Sequence, residues 1–364
     1  MIWMWIGFVL LVLLMLAVDL GVFHRKAHAI SLREALGWSA VWIVLALCFN
    51  VFIYFAYDGH WLGLGRGPDG TVALDPIDRT VMNGHNAAIK FFTGYVVEKS
   101  LSMDNIFVMA IIFAYFAIPN QYQHRVLFWG IMGALVMRGV FIVLGAALIA
   151  RFHWILYIFG AFLIYTAFKM GLAAEEPDPS RNVFIRWARK LFPITPELHG
   201  QRFFIRREQA RLGACPDLAA ELAPADSGLR ARSRYVLTPL ALCLIVVEGT
   251  DLIFAVDSIP AIFAITGDPF LVFTSNVFAI LGLRALYFVL AGMLGMFRFL
   301  RFALAVVLGL VGVKMLVADW LKHFEFWANN LSFVTLALIA TSLAVGVIAS
   351  LLWPEKPEHR PERP

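Results

Sequence analysis

Two short stretches of a largely apolar chain carry carboxylates at the same spacing. EKSLSMDN (Glu98 to Asn105) and DLIFAVDS (Asp251 to Ser258) each run an acid, five residues, an aspartate and a small polar side chain, and Glu248 precedes the second by three residues. The flanking runs LTPLALCLIVV and IFAITGDPFLVF leave no room for a solvated acidic loop. A carboxylate at a bilayer centre costs roughly 2.5–3.5 kcal/mol, so Glu98, Asp104, Glu248, Asp251 and Asp257 represent on the order of 15 kcal/mol if unpaired. Two explanations are open: internal pairing with Arg138 and Arg284, or a site for protons or a metal cation. Two mid-span arginines do not neutralise five acids, and Lys99 adds at best a third cation, so negative charge remains to bind an ion.

The ligand chemistry is oxygen only: carboxylates, the Asn105 amide, and the Ser102 and Ser258 hydroxyls. No Cys or His lies in either segment, which points away from copper and zinc and toward Mg²⁺, Ca²⁺ or Mn²⁺. Residues six apart on a helix are rotated by about 240° and separated by about 9 Å, so Asp251 and Asp257 cannot share one ion on an unbroken helix. Pro260 cannot donate to the Val256 carbonyl; it either breaks the helix, baring backbone oxygen beside Asp257, or only kinks it. Glu248 and Asp251, three apart, share a face without any break. The candidate metal site is therefore Glu98, Asp104, Asn105, Glu248, Asp251 and Asp257, supported by Ser102, Ser258, Pro260, Arg138, Arg284, Lys169 and Lys314. Arg138 and Arg284 are expected to pair with the acids when the site is empty. Lys169 and Lys314 are read as snorkelling at span ends, and His124, His153 and Asp19 as interfacial.

The elements that must position these residues follow from composition. Of 364 residues, 61% are hydrophobic and 15% charged, with mean hydropathy +0.78. That describes an all-α polytopic membrane protein. Apolar runs long enough to span a bilayer, roughly 17–25 residues, fall near 2–22, 36–56, 88–116, 126–149, 154–172, 236–263, 270–294, 302–318 and 331–353, about nine spans. No basic segment precedes the first, so it reads as a retained anchor. Arg25, Lys26 and Arg33, the basic connection at 173–235, Arg298, Arg301 and the tail at 354–364 with Lys356, Arg360 and Arg363 fall on one side. The positive-inside rule makes that side cytoplasmic, with the amino terminus out, the carboxyl terminus in, and Arg151 dissenting. The net charge of +5 reflects loops beside anionic lipid, and no motif suggests nucleic acid. Cys48, Cys215 and Cys243 form no paired pattern.

The chain also repeats itself. Span four holds Arg138 and span seven Arg284; spans five and eight end in Lys169-Met170 and Lys314-Met315. Spans three to five (88–172) and six to eight (236–318) thus read as two copies of an acid, an arginine and a lysine helix. Three spans per copy force an inverted repeat, a plan that secondary transporters use to place substrate at the repeat interface. Spans one and two (1–56) and the segment 319–353 are peripheral. The extracytoplasmic loop at 57–87 reads as turns and a short hairpin over the outer vestibule.

Several stretches together resemble the TerC family of integral membrane proteins: DLGVFHRK from Asp19, EKSLSMDNIFV from Glu98, QHRVLFWGIMGALVMR from Gln123, HWILYIFGAFLIYTAFKM from His153, and the long run from Glu248 to Phe288. The family is named for tellurium resistance, belongs to the LysE-like transporter superfamily and includes bacterial manganese exporters. The resemblance implies Mn²⁺ as transported substrate, no permanently bound cofactor, and a bacterial inner-membrane location. It carries the family's signature acids onto Glu98, Asp104, Glu248, Asp251 and Asp257. Residues 209–233 depart from it as a local insertion. With no Walker, serine-nucleophile or HExxH motif, the expectation is a secondary exporter and not an enzyme, with proton coupling available to a carboxylate cluster. The alternative is a membrane-biogenesis or metal-stress protein that acts through partners.

Overall fold

The computed structural model describes residues 2–23, 31–67, 70–152, 154–172, 184, 187–188, 192–195, 197–206, 235–290, 299–321 and 325–352. Arg25, Lys26, His153, Arg298, Cys215, the 209–233 insertion, the 354–364 tail and the side chain of Asp19 lie outside the described residues. The elements are α1 (Ile2–Phe23), α2 (Leu32–Asp58), α3 (Gly84–Tyr115), α4 (Asn120–Arg151), α5 (Ile155–Leu172), β1 (Phe204–Arg206), β2 (Tyr235–Leu237), α6 (Pro239–Phe263), α7 (Pro269–Leu281), α8 (Leu283–Leu290), α9 (Leu300–Leu321) and α10 (Glu325–Leu352).

Polar caps start several helices where the sequence first turns apolar. Asn83 accepts from Asn86 N at 2.9 Å ahead of α3, and Asp268 accepts from Phe270 N at 2.9 Å ahead of α7. Pro239 and Pro269 follow their caps, where a missing N–H goes unnoticed. Six helices are long and apolar enough to cross a membrane, or seven if the bent pair α7–α8 is one span; the pair bends by 42°. α1 is apolar but shorter over its qualifying stretch, Ile2–Val18, and the 32 residues of α3 include Lys90, Glu98, Lys99 and Asp104. Among the described residues the structure therefore supports six or seven of the nine expected spans by length and composition, and α1 and α3 fall outside that set. Val136, Val140, Val143, Leu144, Tyr165 and Phe168 face outward, as lipid contact requires.

α3 packs against α7, α2 and α6, while α6 packs against α4. α5 and α9 lie closest of all: a Cβ on Gly160 would crowd Leu316 and the Gly312 carbonyl, so these two backbones meet through glycine. At one end of the bundle the antiparallel pair β1–β2, with Phe204 opposite Leu237 and Arg206 opposite Tyr235, draws together the two ends of the 207–234 segment. Among the described residues this short sheet is the one strand pairing besides isolated bridges.

At the opposite end, residues 59–67 and 70–83 fold back as a cap. Bridges Arg66–Val72 and Leu74–Val81 form the small hairpin-like turns expected there. Gly65, at φ +66, lies so close to the Met82 carbonyl that a side chain would overlap it. Two acids of this loop, Asp75 and Asp78, are buried. Asp75 accepts from Thr266 Oγ1 at 2.5 Å, Gly267 N at 3.1 Å and Ile77 N at 2.8 Å. Lys90 of α3, fully buried, meets Asp75 at 2.8 Å and Asp78 at 2.7 Å. Thr80 and Ser332 donate to Asp78 at 2.7 and 3.0 Å. Lys314 does not snorkel. It is 6% exposed, lies within electrostatic reach of Asp78 and Asp75, and joins the same cluster.

Burial favours the protonated form of Asp78, but the charges of Lys90 and Lys314, with hydrogen bonds from Lys90 and Thr80, outweigh it and hold the carboxyl well below the usual carboxylate range. With a depressed folded value, its stabilisation is complete above the unfolded value of about 4 and lost only as pH falls through the lower folded one. Melting in detergent should therefore show no loss from this group between about pH 7 and pH 5. Asp78→Asn should lower stability throughout that window by about 3–5 kcal/mol, because it leaves buried ammonium charge uncompensated. A variant melting like the parent would show that the cluster does not clamp the cap.

Candidate functional site

Glu98, Ser102 and Asn105 sit at i, i+4 and i+7 on one face of α3, and Arg138 reaches that face from α4. Its guanidinium pairs with Glu98, approaches Asp251 of α6 at 3.3 Å and donates to Ser258 at 3.3 Å and to Asn276 Oδ1 of α7 at 2.9 Å. Ser102 donates to Glu98 at 3.5 Å, and Asn105 to Asp251 at 3.5 Å. Four helices thus meet on one cation, and Arg138, Glu98, Asp251, Ser258 and Asn276 are all buried. The second oxygens, Glu98 Oε2 and Asp251 Oδ2, have no hydrogen-bond partner. Buried oxygens in that state are rare and call for an explanation.

Beside this junction lies a cavity of about 60 Å³. Glu98, Asp104 and Asn105 line it from α3, Asp257 and Ser258 from α6, Thr166 and Met170 from α5, and Leu308 from α9. Thr166 donates to Asp257 at 3.3 Å. Both acid motifs therefore open on one space, but not every expected ligand does. Helix α6 runs on through Pro260 without ending, so the break that would have bared backbone oxygen beside Asp257 is not made. On the continuous helix the two aspartates turn apart: Asp251 meets Arg138, while Asp257 meets Thr166 and the cavity. Glu248 points toward α4, where only the absence of a side chain at Gly133 admits its carboxylate. Among the described residues no three Asp, Glu, His or Cys groups converge closely enough to hold a metal ion, since Arg138 stands between Glu98 and Asp251.

The remaining cations divide by position. Lys169 is exposed and within electrostatic reach of Asp257, as Arg301 is of Asp104. Lys99 does not join the acids. It donates to the Ala279 carbonyl at 3.2 Å, one of the backbone acceptors freed where α7 ends and α8 turns away. Arg284 is buried immediately after that bend, and His124 is buried near the start of α4.

Sequence reasoning missed Thr166, Asn276, Gly133 and Phe184. Asn276 had a signal, since Thr274, Ser275 and Asn276 are consecutive polar residues in an apolar helix and all are buried. Thr166 and Gly133 had none, because single small residues in apolar helices are common. Phe184 comes from the connection before β1, and its ring packs where a side chain on Gly249 would stand, next to Glu248.

Apolar helices of this length around a buried charged junction define an integral membrane protein. The chain belongs to the TerC family: the family model described as "Integral membrane protein TerC family" matches residues 83–358. It is 43% identical over 359 residues to "Uncharacterized membrane protein STKORF319" of Myxococcus xanthus, covering 98% of this chain and 94% of that one. It is likewise 43% identical over 319 residues to "Putative membrane-bound redox modulator Alx" of Escherichia coli (strain K12), covering 87% and 86% of the two chains. A Rickettsia bellii membrane protein is 34% identical over 349 residues, 96% of this chain and 97% of that one. No solved structure matches.

Arg138→Met should leave Glu98 and Asp251 buried without a cation, which costs about 3–5 kcal/mol. Adding Glu98→Gln should recover part of that loss, because the uncompensated charge goes with it. Melting curves of the purified single and double variants measure the coupling. Additive losses would mean the pair does not hold the junction together.

Proposed function

We propose that this protein is a secondary transporter that exports Mn²⁺ from the cytoplasm through the cavity between α3 and α6. The observation that carries the reading is that one cavity is lined by Glu98, Asp104 and Asn105 from the first acid motif and Asp257 and Ser258 from the second. Its donors are oxygens of the kind hard divalent cations take, apart from the Met170 thioether. The buried oxygens Glu98 Oε2 and Asp251 Oδ2 supply further acceptors once Arg138 gives way. In this reading the guanidinium neutralises the empty site and is displaced when a cation enters, so occupancy is tied to the arrangement of four helices. Exchange of the cation for protons on the same carboxylates supplies the coupling.

The accompanying architecture is nine spans with the amino terminus outside and the carboxyl terminus inside, α3–α5 and α6–α9 forming the inverted repeat. Packing supports it. Exchanging α3 with α6, α4 with α7 and α5 with α9 turns the α3–α7 contact into the α6–α4 contact and the α3–α9 contact into the α6–α5 contact. The same exchange maps α5–α9, α3–α6 and α4–α7 onto themselves. The relatives' name speaks of redox modulation. Among the described residues Cys48 is exposed, Cys243 is buried, and both are free.

Mn²⁺ flux into liposomes holding the purified protein tests the reading, with Mg²⁺ and Ca²⁺ as competitors. Saturable flux should be present in the parent and fall to background in Asp104→Asn/Asp257→Asn. Absence of flux under every ion and proton gradient, from folded protein, would overturn it in favour of a membrane-biogenesis role exercised through partners.

A further inference from the structure

The buried charges beneath the cap are not needed by the cavity and are more elaborate than a loop anchor requires. Asp75 alone would tie the cap to the α6–α7 turn, through Thr266 and Gly267. Yet α3 and α9 each send a lysine into the same place, and α10 adds Ser332. Both lysines lie on helices that wall the cavity. From Glu98, eight residues back along α3 is Lys90, about 12 Å away; from Leu308, six residues on along α9 is Lys314, about 9 Å away. The cluster thus lies beyond the cavity along α3 and α9, toward the end of the bundle away from β1–β2.

Lys314 shows that the cluster is not a simple pair of ion bridges. Its Nζ is buried without a hydrogen-bond partner, although Asp78 and Asp75 lie within electrostatic reach. Lys90 already takes both carboxylates at hydrogen-bond distance, so Lys314 has charge complementarity without a bond. Two ammonium groups and two carboxylates balance in charge while the hydrogen bonds are shared unequally. Such a network is stable when closed and has an alternative pairing, Lys314 with Asp78, available if α3 and α9 shift against each other.

We infer that Asp75, Asp78, Lys90 and Lys314 form the extracytoplasmic gate of the transport path, closed in this conformation, which parts to let the exported cation leave. This rests on the transporter reading for its purpose, but closure of that end of the cavity is measurable without transport. The charges are drawn from the cap, α3 and α9, with Ser332 of α10 and the Thr266 hydroxyl completing their surroundings, so opening must move the cap relative to at least two helices.

The test introduces Leu101→Cys into the cavity wall and measures labelling by a membrane-impermeant maleimide applied from the extracytoplasmic side, with the chain lacking that cysteine as background. Asp78→Asn/Lys314→Met removes one charge of each sign and keeps the cluster neutral. It should raise labelling by about tenfold, the response of a two-state equilibrium whose closed form has lost its lock. Ser332→Ala, which removes only a hydrogen bond to Asp78, should act in the same direction by a smaller factor and carries the test if the double variant does not fold. Asp78→Glu, which keeps the charge, should label closer to the parent than the double variant does. Unchanged labelling in folded variants of a parent that conducts Mn²⁺ would overturn the gate and leave the transport reading standing. Raised labelling in a parent without flux would keep the closure and remove the transporter.

Discussion

The structure depends on one requirement: charge inside an apolar bundle must be met by charge and hydrogen bonds at the same spot. Arg138 satisfies it for Glu98 and Asp251, and in doing so joins α3, α4, α6 and α7. A buried ion pair adds little net stability against a well-packed apolar alternative. Its retention in a membrane bundle is better explained by what it specifies, which here is the register of two acid helices around one cation. The neighbouring cavity inherits its acidic lining from that register.

Beneath the cap the same requirement is met differently. At the junction one cation serves two carboxylates and leaves oxygens over. In the cap cluster two cations face two carboxylates, and an ammonium is left over. Burial presses on Asp268 as well, raising its pKa against the hydrogen bonds from Tyr57 and the backbone at Leu271 and Phe270. Neither place matches its hydrogen bonds completely: carboxylate oxygens are left over at the junction and an ammonium beneath the cap, although the cap cluster is balanced in charge.

Much of this was legible in the sequence for a physical reason. Apolar length is a local property, and it located the six helices, or seven with the bent pair α7–α8, that are long and apolar enough to cross a membrane. The matched acid motifs were legible too, because carboxylates in apolar text stand out against their cost. Where reading failed, the missing information was non-local. Asp75 and Asp78 were not singled out in the 57–87 loop, because nothing near them in sequence reveals Lys90 beneath or Lys314 across the bundle. Lys314 looked like a snorkelling residue because its distance from a helix end is visible and its partners are not. Lys99 sat beside Glu98 in sequence, yet one residue is a rotation of about 100° on a helix, enough to turn it to the end of α7.

Sequence by itself determined that the chain is a helical membrane protein, which segments form its helices, and which buried acids need an explanation, since hydrophobicity and the desolvation of charge act residue by residue. Tertiary structure decided how those acids are used. It set Arg138 between Glu98 and Asp251, kept α6 continuous through Pro260 so that Asp257 faces the cavity and Asp251 the arginine, and turned Glu248 to the gap at Gly133. The partner of a buried charge is whatever group packing brings within a few ångströms, and packing is a property of the whole bundle.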